Sequence, residues 1–328
     1  MKFALLLAVL LAAPALAAEA PSSPPLPKPG VKTAQVPFEA LKPSHTFDFG
    51  GRPDWMVLTN DAVWLSNRPL KKLYRIDPAT NTVTATIEFP KNPCAGLAAG
   101  FGSIWVPLCD ATAPALARVD AVTDKIVAII PVGPTDSEAG IAVAPNGVYL
   151  FIDNAGTMAR VDPKTNAVVN RVTISEGARN PVFADDLIWI SDGKKNTISV
   201  FDPGAEAVKT VIPVPSGPRF MTAGDGFLWS LNQGDGSLTK IDMKKRAIIA
   251  TIQAGIPGGG GEIAFGGGSI WTTVFDIPLT QIDAKTDKVM RQWVGAGGDS
   301  VRFGFGSVWL AHLRSGLLWR FPEADFKN

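Results

Sequence analysis

Glu262, Asp299 and His312 are the residues that could perform chemistry together, and each falls in a connection between apolar segments. Glu262 follows four glycines in Ile256–Glu262 (IPGGGGE), and Asp299 closes a second glycine pair, Ala296–Asp299. Glycine lets the backbone approach a ligand closely and adopt positive φ. Two carboxylates and an imidazole can transfer protons, so the three are candidate catalytic residues. Glu262 and Asp299 are also candidate metal ligands, because carboxylate oxygens are what Mg²⁺ or Ca²⁺ takes. The glycine run is not a dinucleotide fingerprint, since no helix follows it. The sequence has no C-x-x-C, H-E-x-x-H, P-loop or G-x-S-x-G motif. The second histidine, His45, lies far away, so a serine triad would have to use His312, and no serine is marked for it.

A second group of polar residues recurs in the same kind of connection. Asp54, Arg68, Arg219, Asn232 and Asp235 are candidate ligand-binding residues. Their mixed signs suit a polar or zwitterionic small molecule, or a loop of a partner protein.

The elements that must position these residues form a repeat. An aromatic residue in an apolar segment recurs as Trp64, Trp105, Tyr149, Trp189, Trp229, Trp271 and Trp309, at spacings of 38 to 44 residues. An aspartate closes the following segment as Asp77, Asp120, Asp162, Asp202, Asp242 and Asp283, and the last copy ends at Pro322 instead. A period near 40 with four short strands per unit is the signature of a β-propeller. The expected fold is all-β: seven blades, each of four antiparallel strands A to D. The aromatics fill the gaps between stacked blades, and the aspartates start tight turns by accepting backbone N–H bonds.

Strand counting predicts how the ring closes. The seventh unit stops after its C strand, while Ser44–Phe49 (SHTFDF) resembles the D strand Thr84–Phe89 (TATIEF) and has no A, B or C strand before it. Ser44–Phe49 is expected to complete the last blade, which removes an open edge. A–B and C–D turns then share one end of the ring, where they are short and alike. The D–A and B–C connections share the other end, where they are long and varied. Variable loops on a rigid scaffold are where binding resides, so the site is expected over the channel mouth at that end.

Cys94 and Cys109 flank the second A–B hairpin. With a turn at Gly100–Ser103 they stand opposite each other, and facing strands give a suitable separation for a disulfide. Residues 1–17 read as a signal peptide: Lys2, an apolar run and Ala15-Leu16-Ala17 as a cleavage site. The expected location is periplasmic or secreted, where disulfides persist. Residues 18–43 carry seven prolines and read as an extended linker, so removing 19–32 is expected to cost little. Residues 44–328 form the propeller. Lys and Arg number 31 against 30 Asp and Glu, a net charge of +1. That balance argues against a nucleic-acid partner, and no apolar run is long enough for a membrane span. The expected partner is a small polar molecule or another periplasmic protein, and the expected state is a monomer.

The whole repeat region, about Ser44–Phe321, resembles bacterial seven-bladed propellers of the YVTN and virginiamycin B lyase-like group. The residues that carry the resemblance are the strands around each Trp, paired with segments such as Arg75–Val83 and Arg160–Val168. The resemblance implies the fold. The lyases open a cyclic depsipeptide by elimination with Mg²⁺, using histidines in a Pro-His-x-Ile pattern. The matching positions read Gly-Gly-Glu262-Ile and Gly-Asp299-Ser-Val, without histidine, so the lyase activity does not carry over. Gluconolactonase-like propellers, a more distant likeness, hold a divalent ion with Glu, Asn and Asp at the mouth. Two functions are open at this point: a binding propeller without catalysis, and a metal-dependent lyase or lactonase.

Overall fold

The computed structural model describes residues 30–134, 137–256, 258 and 260–327. The signal-peptide segment 1–17, residues 18–29 of the Pro-rich stretch and Asp136 lie outside the described residues. Seven antiparallel sheets follow one another along the chain as the blades of a propeller. Blade 1 runs Pro53–Leu58, Val63–Asn67, Lys72–Asp77 and Thr82–Glu88, and the others repeat this order. B strands such as Leu187–Asp192 and Ser269–Val274 are buried at every position, because neighbouring blades cover both faces. The outermost strand Ala167–Thr173 alternates between exposed and half-buried residues.

The ring closes as expected. His45–Asp48 pairs antiparallel with the C-terminal strand Leu317–Pro322, in the register His45↔Arg320 to Asp48↔Leu317. The passive-linker expectation for 18–43 needs correction in its last third. Gln35–Pro37 adds a fifth, parallel strand to the outer edge of blade 6, opposite Gln292–Val294. Phe38 and Leu41 are buried in one cluster with Trp271, Trp293 and Phe321. Upstream, Gly30 N–H donates to the Gly255 carbonyl at 2.7 Å and Val31 N–H to Gln292 Oε1 at 2.7 Å. Proline content argues against a core of its own, but it leaves Val36, Phe38 and Leu41 free to pack on a core already built. An edge strand also tolerates Pro37.

A contact between blades recurs around the ring. Opposite Trp64, Trp105, Trp229 and Trp309, a C-strand residue places a cation over the ring and reaches the next blade's C–D turn. Arg118 lies 5.0 Å from the Trp105 ring and donates to the Pro163 carbonyl and, at 2.9 Å, to Asn166 Oδ1. Lys240 lies 5.7 Å from the Trp229 ring and donates to the Ala284 carbonyl and Asp287, both at 2.8 Å. Arg320 lies 4.9 Å from the Trp309 ring and donates to the Pro78 carbonyl and to Asn81 at 2.7 Å, linking blade 7 to blade 1. The acceptors Asn81, Asn166 and Asp287 hold left-handed φ of 55°, 55° and 59°. Asn and Asp tolerate that conformation better than other side-chain residues. The aspartates at the strand ends cap the same turns: Asp283 accepts from Thr286 N–H at 2.7 Å.

The Cys94–Cys109 disulfide is present, with 5.6 Å between Cα atoms. The expected register is not. Ala98–Gly100 follows it, with Ala98↔Trp105, but Asn92 rather than Cys94 stands opposite Cys109. The A strand of blade 2 is broken at 94–97, and Cys94 bonds its partner from within that break. In the chain-entropy account such a loop contributes about 3 kcal/mol. A Cys94→Ala/Cys109→Ala chain should therefore melt well below the oxidised protein, and reductant should lower the wild-type melting temperature by a similar amount. Truncation separates the N-terminal pieces. Removal of residues 1–29 should leave the melting temperature nearly unchanged, removal of 1–43 should lower it, and removal of 1–49 should lower it most. Equal values for the last two would contradict the closing role of His45–Asp48.

Candidate functional site

The innermost strands line the channel, and their mouth-proximal ends make the site. In blades 1, 4 and 5 the A–B register shifts near that end, at Pro53/Met56, Ala178/Asn180 and Pro218/Met221. Such bulges re-aim side chains at the end of a strand. They place Asp54, Arg179 and Arg219 along the mouth. Lower down, small residues such as Ala98, Ala142, Thr222 and Ala264 alternate with bulkier ones such as Phe183, Phe265 and Phe303 along a channel of about 470 Å³. Seven strands converging on one axis leave room for little more.

Trp55 of blade 1 and Phe220 of blade 5 meet across the axis, with ring centroids 5.7 Å apart, edge to face. Both rings line the channel and the space above it, so they form a floor between the two. Above the floor lies a cavity of about 370 Å³. D–A connections contribute Arg52, Asp54, Glu138, Arg219, Glu262 and Asp299 to its wall. B–C connections contribute Arg68, Gln233, Phe275 and Leu313. This is the face and the loop set expected from strand counting.

The acids gather on one side. Asp54 and Asp299 stand within hydrogen-bonding reach of each other, and a proton on either carboxyl completes the bond. Burial is the main reason both are pushed up, Asp299 to about 7 and Asp54 well above its usual range. The negative charges of Glu138 and Glu262 add to the effect on both, and for Asp299 a bond from Gly261 N–H opposes it. Glu262 is 4% exposed. Burial raises its pKa as well, against the opposing charge of Arg302. Its Oε2 accepts from Ser300 Oγ at 2.8 Å and from the Arg302 guanidinium. Its Oε1 is buried with no hydrogen-bond partner. Glu138 faces this group with φ of 76°, a conformation costly for a residue with a side chain, and it pairs with Arg219 at 3.2 Å. Arg219 in turn lies 5.4 Å from the Phe220 ring. Arg52 and Arg68 form no ion pair among the described residues.

Of the residues singled out from sequence, the structure brings together Asp54, Arg68, Arg219, Glu262 and Asp299. His312 does not join them. It ends the B strand of blade 7, and its ring packs 5.2 Å from Trp319 between blades, where burial lowers its pKa. It is three residues beyond Trp309, so strand alternation turns it to the opposite face of its sheet. Asn232 is fully buried and donates to Ser237 and Thr239, while Asp235 accepts from Ser237 N–H at 2.9 Å. Both shape their own loop, and Gln233 between them reaches the cavity. Trp55, Phe220 and Arg302 belong to the site and were not selected from sequence, while Glu138 was legible only as one charge of a D–A connection. Arg302 was detectable: the equivalent A-strand positions opposite the aromatic are Val57, Ala98, Ala142, Val182, Thr222 and Ala264, all smaller and uncharged.

A divalent cation finds no ready site here. Among the described residues no three His, Cys, Asp or Glu side chains converge to hold one. Asp54 and Asp299 bond each other, and Glu262 commits one oxygen to Ser300 and Arg302. The residues do not fit the Mg²⁺ or Ca²⁺ reading of Glu262 and Asp299.

No protein-family model matches the sequence, and no curated protein matches it. Among solved structures, the one titled "Streptogramin B lyase structure" aligns with a TM-score of 0.71 at 16% identity. The alignment covers 84% of this chain and 96% of that one. The likeness is one of fold.

The raised carboxyls set a pH dependence. Acids whose pKa is raised on folding stabilise the protein fully below their unfolded value, and that contribution is lost as pH rises through the folded value. For Asp299 the window runs from 3.8 to about 7, and Asp54 and Glu262 act in the same direction. The melting temperature should fall from pH 4 to pH 8, and Asp299→Asn should flatten that fall. An unchanged slope in the variant would show that the pair is not the origin.

Proposed function

We propose that this chain is an exported propeller that binds, at its channel mouth, a small polar molecule carrying both charge signs. Glu262 carries the reading. A buried carboxylate oxygen without a donor is costly, and this one borders a cavity large enough for a ligand. Arg52 and Arg68 offer the complementary cations on the same wall. Export is supported by the signal-like pattern of residues 1–17 and by the Cys94–Cys109 bridge.

The test is calorimetric titration of the purified protein with a zwitterion panel: free amino acids, glycine betaine and carnitine. Saturable binding by at least one compound is expected, with a rise in melting temperature that follows occupancy. Arg68→Ala should weaken that binding without changing the fold. A panel that leaves both the heats and the melting temperature unchanged would overturn the reading.

The Asp54–Asp299 pair favours a second reading, a lyase or lactonase that works by proton transfer. Two carboxyls with one proton between them can act as acid and base in turn. Incubation with cyclic depsipeptides and aldonolactones, followed by mass spectrometry, checks it. Elimination opens a ring with no change in mass, and hydrolysis adds one water.

A further inference from the structure

The mouth cavity does not end at its acidic side. Arg219 and Gln233, which line it, also line a groove of about 560 Å³ between blades 4 and 5. The groove's other polar groups include Asn180, Ser191, Arg179 and Lys194. The buried carboxyls Asp54, Asp299 and Glu262, from the adjacent blades 1, 7 and 6, mark one end, on a wall that also carries Arg52 and Arg68; Arg179, Lys194 and Arg219, from blades 4 and 5, mark the other, with Glu138 of blade 3 paired to Arg219. The two spaces thus form one path, with the buried carboxyls toward one end and Arg179 and Lys194 toward the other.

We propose that this path is the binding site for a short peptide with a free amino terminus, its ammonium group at Asp54, Asp299 and Glu262 and its chain running out along the groove. The inference rests on reading the mouth as a binding site, and it names the ligand class. Glu262 Oε1 is a buried acceptor with no donor, and an ammonium group brings three N–H donors to it. A metal ion would need a set of converging ligands that the described residues do not provide. The floor adds a preference for an organic cation. Trp55 and Phe220 offer apolar and π surface beside the acids, which a first side chain and its ammonium can use together. A hydrated inorganic ion uses neither.

Beyond the first residue the chemistry changes to match a backbone. Asn180 and Gln233 provide amide donors and acceptors of the kind that pair with peptide groups. Arg219 stands at the junction, held by Glu138. Arg179 and Lys194 lie farther out, where the carboxyl terminus of a short peptide would arrive; Lys194 also pairs with Glu176 at the surface. The order of charges sets the direction of the chain, amino end toward the seam of blades 7 and 1.

Three probes decide it by calorimetry: phenylalanyl-alanyl-alanine, the same tripeptide N-acetylated, and free L-phenylalanine. The free tripeptide should bind saturably. Acetylation should weaken it by roughly ten-fold or more, the scale of a charged hydrogen bond lost in a buried site. L-Phenylalanine should also bind more weakly, because it lacks the groove contacts. Glu262→Gln should reduce affinity for the free tripeptide and leave the acetylated one unchanged. Should that variant not fold, as judged by circular dichroism, Asp54→Asn makes the same comparison. Equal binding of free and acetylated tripeptide, or of tripeptide and L-phenylalanine, would overturn the peptide assignment and leave the mouth a binding site. Absence of binding by all three would also overturn it, while betaine or carnitine binding would keep the broader reading alive.

Discussion

A cation resting on an indole and reaching into the next blade ties four of the seven blades to their neighbours. Each blade is a small sheet that could not stand alone. A tryptophan, or Tyr149 in blade 3, fills the gap to a neighbour, and in blades 2, 5 and 7 the residue opposite it ties its polar end to a carbonyl and a side-chain oxygen on that neighbour's turn. The geometry explains why one strand position carries Arg118, Lys240 and Arg320, and why the acceptor position carries Asn81, Asn166 and Asp287. A buried guanidinium or ammonium is tolerable only when paired and hydrogen-bonded. Here the pairing sets the spacing between blades. Blades 4 and 6 have Val200 and Gln281 at that position, so the pattern is frequent rather than obligatory.

Because the outer and middle strands hold the ring, the innermost strands are free to vary near the mouth. Bulges in blades 1, 4 and 5 and the broken strand of blade 2 occur there. The site collects what a core excludes: a protonated carboxyl pair, a carboxylate oxygen without a donor and a glutamate with left-handed backbone. Such groups persist only in a frame that tolerates their cost. The Cys94–Cys109 bridge and the strap of residues 35–41 stiffen the frame at two further points on the ring.

The fold was legible in the sequence because its cause repeats. A tryptophan line and an aspartate line at a period near 40 leave few architectures open, and the missing strand of the last blade identified its substitute at 44–49. The mouth was legible in its location and only partly in its residues. Sequence parity along a regular strand would have turned His312 away from the cavity. Asn232 and Asp235 looked like ligands because loop polarity does not distinguish a side chain that binds from one that holds its own turn. Glu138 falls in a D–A connection and so at the mouth, but nothing in the sequence shows that its backbone takes a left-handed φ of 76°. Trp55, Phe220 and Arg302 did leave a trace: each is bulky where most other blades carry a smaller residue. Disulfide partners were readable from spacing, but a break in the strand shifted their register beyond what a hairpin count can follow.

The joint between residues 45–48 and 317–320 has a kinetic consequence. Strand partners separated by nearly the whole chain are the most entropically expensive contacts to form, and folding slows as contacts become more distant in sequence. Six blades can assemble from neighbouring segments, each on a short loop. The seventh waits for both ends to meet, so closure is the step at which this molecule becomes slow to undo. Until then the Leu317–Pro322 edge is open to any extended segment nearby, including the same segment of another molecule. The protein's vulnerability to swapping and aggregation is thus concentrated in time, in the interval between six blades and seven.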